Sequence, residues 1–128
     1  MNILVVDDEL DMKMLFEQRF RKEIREGQFN FAFANSGEEA LQYLTSHNHE
    51  AVLILSDINM PGMTGLELLR NIKSKYIAPP PVVMMVTAYG DDENYNTAMK
   101  LGADDFLTKP IDFALLKDKL KTQIPANG

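Results

Sequence analysis

The chain contains no cysteine, which excludes disulfides, thiolate catalysis and cysteine-ligated zinc or iron–sulfur centres. No apolar run approaches the roughly 20 residues that span a bilayer. Met1-Asn2-Ile3 leads into the first apolar segment without a basic leader, so a soluble, cytoplasmic protein with no membrane attachment is expected. Positive charge is in deficit, and the formal net charge is −6. Nonspecific nucleic-acid binding needs cationic groups that displace counterions, so no direct nucleic-acid contact is expected and a metal ion or cationic partner fits better. Internal repeats, low-complexity tracts and a second composition regime are also missing. The 128 residues therefore read as one globular unit, large enough for a real core and too short for two ordinary domains. Residues 1–124 are assigned to that unit, and Pro125-Ala126-Asn127-Gly128 reads as a frayed tail.

What is present is an alternation, repeated five times, of short β-rich runs and segments with helical periodicity. Such alternation implies a parallel sheet covered by helices on both faces. After Ile3–Val6, the residues Met12, Leu15, Phe16, Phe20 and Ile24 recur at spacings of three and four, which predicts one helix ended near Gly27. Phe29, Phe31 and Phe33 alternate with smaller or polar residues, as a strand does. Ser36-Gly37-Glu38-Glu39 and Thr64-Gly65-Leu66-Glu67 both have capping-box spacing. Each precedes an apolar stripe: Ala40, Leu41 and Leu44 in one case, Leu68, Leu69 and Ile72 in the other. Pro79-Pro80-Pro81 reads as a stiff connector into Val82–Val86. Asp91 or Asp92 can cap a helix carrying Tyr95, Ala98 and Leu101, and Asp112 a last helix with Phe113, Leu116, Leu120 and Ile124 inward. Met12, Met14, Met84 and Met85 read as core filler.

Polar groups stand where the β-rich runs end: Asp7 and Asp8 after the first, Asp57 after Val52–Leu55, Thr87 after Val82–Val86, Lys109 after Phe106-Leu107. In a parallel α/β sheet the exits of all strands gather on one edge, where ligands bind. Topology thus predicts that these five groups converge. Three carboxylates at about 4 Å repel at roughly 4 kcal/mol per pair for an effective dielectric near 20. Either one carboxyl stays protonated, or a divalent cation sits among them. Hard oxygen ligands with an open side suit Mg²⁺ or Mn²⁺ better than zinc. A cation there would hold a phosphoryl group opposite a carboxylate nucleophile, with Lys109 and the Thr87 hydroxyl completing the cradle.

With these residues in place, the chain from Ile3 to about Ile124 resembles a receiver domain of two-component response regulators. The likeness rests on Asp7-Asp8, Asp57-x-x-Met60-Pro61-x-x-x-Gly65, Thr87-Ala88 and Lys109-Pro110, in that order. It implies a doubly wound, flavodoxin-like, five-stranded sheet in the order 2-1-3-4-5 with five helices. It implies that Asp57 takes a phosphoryl group from the phosphohistidine of a sensor histidine kinase or phosphotransfer protein. Asp8 would bind Mg²⁺ directly, Asp7 largely through water, and the Asn59 carbonyl would be a further ligand. Lys109, before a cis bond to Pro110, would pair with phosphoryl oxygens. Thr87 would swing to the phosphoryl group and Phe106 turn into the space it vacates, reshaping the face of the fourth helix, fifth strand and fifth helix for an effector. Asn59 and Tyr89 occupy the two positions that tune acyl-phosphate lifetime, and a phosphorylation-dependent dimer is an assembly the resemblance allows. Thr64 departs from the acidic residue or asparagine common there, but still caps a helix.

Other readings stand beside these. Asp91, Asp92 and Asp112 are taken as helix caps, and His47 and His49 as surface residues away from the strand exits. Phe106 alternates with a core position and is also compatible with plain packing. A metal-dependent phosphohydrolase with an aspartyl nucleophile is disfavoured because Asp57-Ile58-Asn59 lacks a second aspartate. A flavodoxin-like electron carrier is disfavoured because Asp7-Asp8-Glu9 would repel a flavin phosphate.

Overall fold

The β-rich runs form strands and the periodic segments form helices in the computed structural model, which describes residues 1–46, 53–75, 81–88 and 91–122. The order is β1 (Asn2–Val6), α1 (Met12–Arg19), α2 (Arg21–Arg25), β2 (Asn30–Ala34), α3 (Gly37–Ser46), β3 (Leu53–Asp57), α4 (Gly65–Lys75), β4 (Val82–Thr87), α5 (Asp92–Lys100), β5 (Asp105–Thr108) and α6 (Phe113–Thr122). The strands form one sheet, β2-β1-β3-β4-β5, with every neighbouring pair parallel. The predicted order and doubly wound architecture are those observed. His47, His49, Val52, Pro79, Pro80, Tyr89, Ile124 and the tail 125–128 lie outside the described residues. Among the described residues, no helix is long and apolar enough to cross a membrane.

Strands buried on both faces read as continuous apolar runs, because neither face can present a polar side chain to water. Here alternate residues of β1, β3 and β4 feed two separate cores. On one face Leu4, Val6, Ile54, Val83 and Met85 pack with Ala40 and Leu44 of α3, Leu68, Leu69 and Ile72 of α4, and Ala98 of α5. On the other face Ile3, Val5, Leu53, Leu55, Met84 and Val86 pack with Phe16, Phe20, Phe29, Leu116 and Leu120. The second core is rich in rings: Phe16 contacts Phe20, Phe31, Phe33 and Phe113 at centroid separations of 5.3–6.1 Å.

The helix starts follow the sequence signals. Ser36 Oγ accepts the Glu39 N–H at 3.0 Å. At Thr64 the box closes both ways, with Oγ1 accepting the Glu67 N–H at 3.2 Å and the Glu67 carboxylate accepting the Thr64 N–H at 3.5 Å. Asp91 caps α5 through the Asn94 N–H at 3.3 Å, and Asp112 accepts the N–H groups of Ala114 and Leu115. Gly27 and Gly102 have φ of 74° and 98°, left-handed values that suit glycine beyond a helix end.

Two details differ from expectation. The first helix is divided at Phe20, giving six helices among the described residues where five are predicted. Phe20 has φ −113° and ψ 22°, away from helical values, while its fully buried ring packs against Phe16, Phe29, Phe31 and Phe113. The backbone bends where this side chain is anchored, yet hydrogen bonds from Phe20 N–H to Phe16 O and from Ile24 N–H to Phe20 O bridge the break. One apolar stripe therefore serves both pieces. Met14 is 65% exposed rather than core filler, since two residues on from Met12 it points to the opposite side of α1. Tyr95, named with Ala98 and Leu101 as marking the helix after β4, is 42% exposed and lies against Phe106, whereas Ala98 is buried.

Candidate functional site

Register brings the strand ends together. Val6 pairs with Ser56, so Asp7 leaves β1 beside Asp57, the last residue of β3. Asp57 pairs with Val86, one residue before Thr87, and Thr87 pairs with Thr108, one residue before Lys109. The backbone continues to hold these exits past the strands. Asp7 N–H donates to Ala34 O at 3.1 Å, Ile58 N–H to Val86 O at 3.2 Å, and Lys109 N–H to Thr87 O at 2.8 Å.

Asp57 is the centre of the arrangement. It is 3% exposed; its Oδ2 accepts a hydrogen bond from Lys109 Nζ at 2.7 Å and its Oδ1 one from Asn59 N–H at 3.3 Å. Asp7, Asp8 and Asp57 each offer an oxygen within 4.8 Å of the others, Asp7 and Asp57 buried and Asp8 open to solvent. Asp7 Oδ1 accepts the Glu9 N–H at 2.9 Å. The Lys109-Pro110 bond is cis, as the resemblance implies.

The electrostatics carry the imprint of crowding. Burial pushes the Asp7 carboxyl up to about 6, and the Asp57 carboxylate adds to the rise; the Glu9 N–H and the Lys109 charge oppose it without cancelling it. Burial pulls the Lys109 ammonium down, but its hydrogen bond to Asp57 and the charges of Asp57, Asp7 and Glu9 together hold it above its ordinary value. Lys109 is thus firmly a cation. One ammonium facing three carboxylates leaves negative charge in excess, and the donors are hard oxygens with Asp8 on the open side. That donor set fits a small divalent cation.

Thr87 is buried, and its Oγ1 donates to Leu107 O at 3.5 Å, which directs it toward β5. Phe106 is half-buried against the core that includes α5, with its ring 4.4 Å from that of Tyr95. Asn59 places its backbone N–H on Asp57. Tyr89 lies outside the described residues.

Two functional details escape the sequence reading. Glu9, exposed, brings Oε1 to 3.8 Å from Lys109 Nζ; its place in the loop after β1 is the available signal. Gly65 appears in the sequence only as a motif position. A Cβ there would collide with the Asp57 carbonyl oxygen and sit 2.7 Å from Ile58 Cα, so the start of α4 closes directly onto the end of β3. Its N–H donates to Ile58 O at 2.8 Å.

Residues 3–121 match the family model of the response regulator receiver domain. The chain is 34% identical over 123 residues to sporulation initiation phosphotransferase F of Bacillus subtilis, covering 96% of this chain and 93% of that protein. It is 32% identical over 121 residues to a chemotaxis protein CheY homolog of Campylobacter jejuni, covering 94% and 90%. Other relatives are longer: the chain spans 30% of a cyclic di-GMP phosphodiesterase of Thermotoga maritima and 49% of the response regulator RppA of Synechocystis, each at 34% identity. Among solved structures, a response regulator receiver protein from Pseudomonas putida superposes with a TM-score of 0.82 at 27% identity, covering 95% of this chain and 96% of that one. The chain belongs to the response regulator receiver domain family.

Proposed function

We propose that residues 1–124 form a phosphorylation-controlled signalling module in which Asp57 accepts a phosphoryl group from the phosphohistidine of a sensor kinase or phosphotransfer protein. The observation that carries this reading is the Asp57 carboxylate, buried, held at 2.7 Å by Lys109 and flanked by two further carboxylates. A carboxylate oxygen of Asp57 attacks phosphorus, an O–P bond forms, the P–N bond breaks, and the imidazole leaves with the bonding electrons. The product is a mixed anhydride.

The Asp7, Asp8 and Asp57 carboxylates and the Asn59 carbonyl would hold Mg²⁺, with Mn²⁺ as a substitute. When bound, the ion neutralises the charge gathered between carboxylate and phosphate. Lys109 pairs with phosphoryl oxygens once its bond to Asp57 Oδ2 is given up. Thr87 turns its hydroxyl from Leu107 O to the phosphoryl group, and Phe106 moves into the space released. This favours one arrangement of the α5–β5–α6 face over another, which is population shift and requires contacts that differ between the two states. Asn59 and Tyr89 tune the lifetime of the anhydride. The apolar hollow beside Lys109, lined by Glu9, Met12, Leu15, Pro110 and Phe113 among others, is suited to receive the donor protein. The effector is a partner protein or an attached domain.

Intact-mass analysis after incubation with a small-molecule phosphodonor tests the reading. A single base-labile phosphoryl adduct is expected on the wild type, lost with Asp57→Asn and lost when EDTA removes divalent ions. An equal adduct on the variant would take Asp57 out of its role.

A further inference from the structure

We propose that Tyr95 is a positioning residue that holds Phe106 in its resting orientation and so sets the threshold for phosphorylation. The inference rests on the switch role given to Phe106 above. It begins from the placement of Tyr95 at the exposed margin of the α5 face that buries Ala98. Its ring is 42% exposed and has its centroid 4.4 Å from that of Phe106, the planes inclined at 44°. An exposed ring gains little from such placement unless the partner ring is fixed.

Phe106 is fixed from the other side as well. Its N–H donates to Asp105 Oδ1 at 2.8 Å, and both oxygens of that carboxylate accept hydrogen bonds from Lys119 of α6 at 2.9 and 3.0 Å. The β5 backbone at Phe106 is therefore tied to α6, while its side chain packs against the core that includes Ala98 of α5 and meets the Tyr95 ring at its exposed side. Rotation of the Phe106 side chain need not break the Asp105–Lys119 pair, but it must break the ring pair. Tyr95 thus acts on the part of Phe106 that moves.

Linkage gives the consequence. An interaction present only in the resting state lowers the fraction of molecules competent to bind the phosphoryl group, and apparent phosphorylation efficiency falls by that fraction. The strength of an aromatic pair corresponds to a factor of about two to ten. Removal of a ring that touches neither Asp57 nor its ligands should therefore speed phosphorylation.

The test is the initial rate of Asp57 labelling, by intact mass at a subsaturating small-molecule phosphodonor with Mg²⁺, for wild type, Tyr95→Ala, Tyr95→Phe, Phe106→Ala and the Tyr95→Ala/Phe106→Ala double variant, with thermal melts confirming folding. Tyr95→Ala should raise the rate about two- to tenfold, and Tyr95→Phe should leave it at the wild-type value. Tyr95→Ala should add nothing in the Phe106→Ala background, where the pair no longer exists. A Tyr95→Ala rate equal to wild type overturns the proposal, as does the same acceleration with or without the Phe106 ring. Absence of labelling on the wild type would instead overturn the phosphoacceptor reading itself.

Discussion

Asp7 concentrates the strain of the site in one titration. Its carboxyl is raised from 3.8 to about 6, chiefly by burial. The unfolded chain releases this proton near 3.8 while the folded chain keeps it to about 6, so without a cation folding stability falls as pH rises through that window. A shift of that size corresponds to ~3 kcal/mol. Asp7→Asn should therefore raise the melting temperature in EDTA at pH 7.5, and the difference from wild type should shrink toward pH 3, where Asp7 is mostly protonated in both states. A Mg²⁺-dependent rise in melting temperature is expected of the wild type at pH 7.5, and the variant should lose it. Melts with equal Mg²⁺ response would refute the role of Asp7 in holding the ion. Gly65 makes the opposite demand, for space. Gly65→Ala forces backbone against backbone at Asp57 and Ile58, so a loss of ~2–4 kcal/mol by urea titration is expected together with slower labelling of Asp57. The need for aspartates at the strand exits is legible in the sequence because charge must be placed at a turn. The raised Asp7 carboxyl and the crowding at Gly65 are not, because both depend on distances between strands far apart in the chain.

Between elements, the informative contact joins α2 to α6. Glu23 is buried, and its Oε2 lies 2.9 Å from Lys117 Nζ, which also sits 5.7 Å from the Phe20 ring centroid. The hydrogen bond from Lys117 is the main cause that holds the Glu23 carboxyl below its ordinary value, against the opposing effect of burial. Its sign is opposite to that of Asp7: the stabilisation is present above the unfolded value of 4.5 and is lost as pH falls through the folded one. Glu23→Gln should cost ~1 kcal/mol at pH 7, since Lys117 can turn to solvent, and should flatten the acid limb of the stability profile measured by urea unfolding. Nothing in the sequence pairs Glu23 with Lys117, because helical periodicity orders residues within one element and is silent between two. The same limit explains the divided first helix. Met12, Leu15, Phe16, Phe20 and Ile24 make a continuous stripe on paper, and the bend at Phe20 comes from rings contributed by β2 and α6. Capping boxes, by contrast, are wholly local, and Ser36 and Thr64 mark their helices correctly for that reason.

Across the whole molecule, the parallel sheet sets a gradient of protection. β1, β3 and β4 each pair on both sides and are buried on both faces, whereas β2 and β5 are the outer strands. Amide hydrogen exchange should be slowest in β1, β3 and β4 and faster by orders of magnitude in β2 and β5; equal protection in β2 would contradict this gradient. The gathering of Asp7, Asp8, Asp57, Thr87 and Lys109 at one edge is readable in the sequence because the exits of a parallel sheet share one edge, whereas the strand order follows from the family resemblance and not from the alternation itself. The distribution of rings between the two layers is not readable there, since each strand sends residues to both sides. That distribution has a mechanical corollary. Phenylalanines are crowded beneath α1, α2 and α6, while the layer beneath α3, α4 and α5 relies on leucine, isoleucine, alanine and methionine. Phe106, the ring to which the proposed switch gives a movement, borders the latter. Under the proposed switch, a movement begun at the strand exits would thus be taken up in the layer that is not crowded with phenylalanines, and the ring-rich flank would be spared.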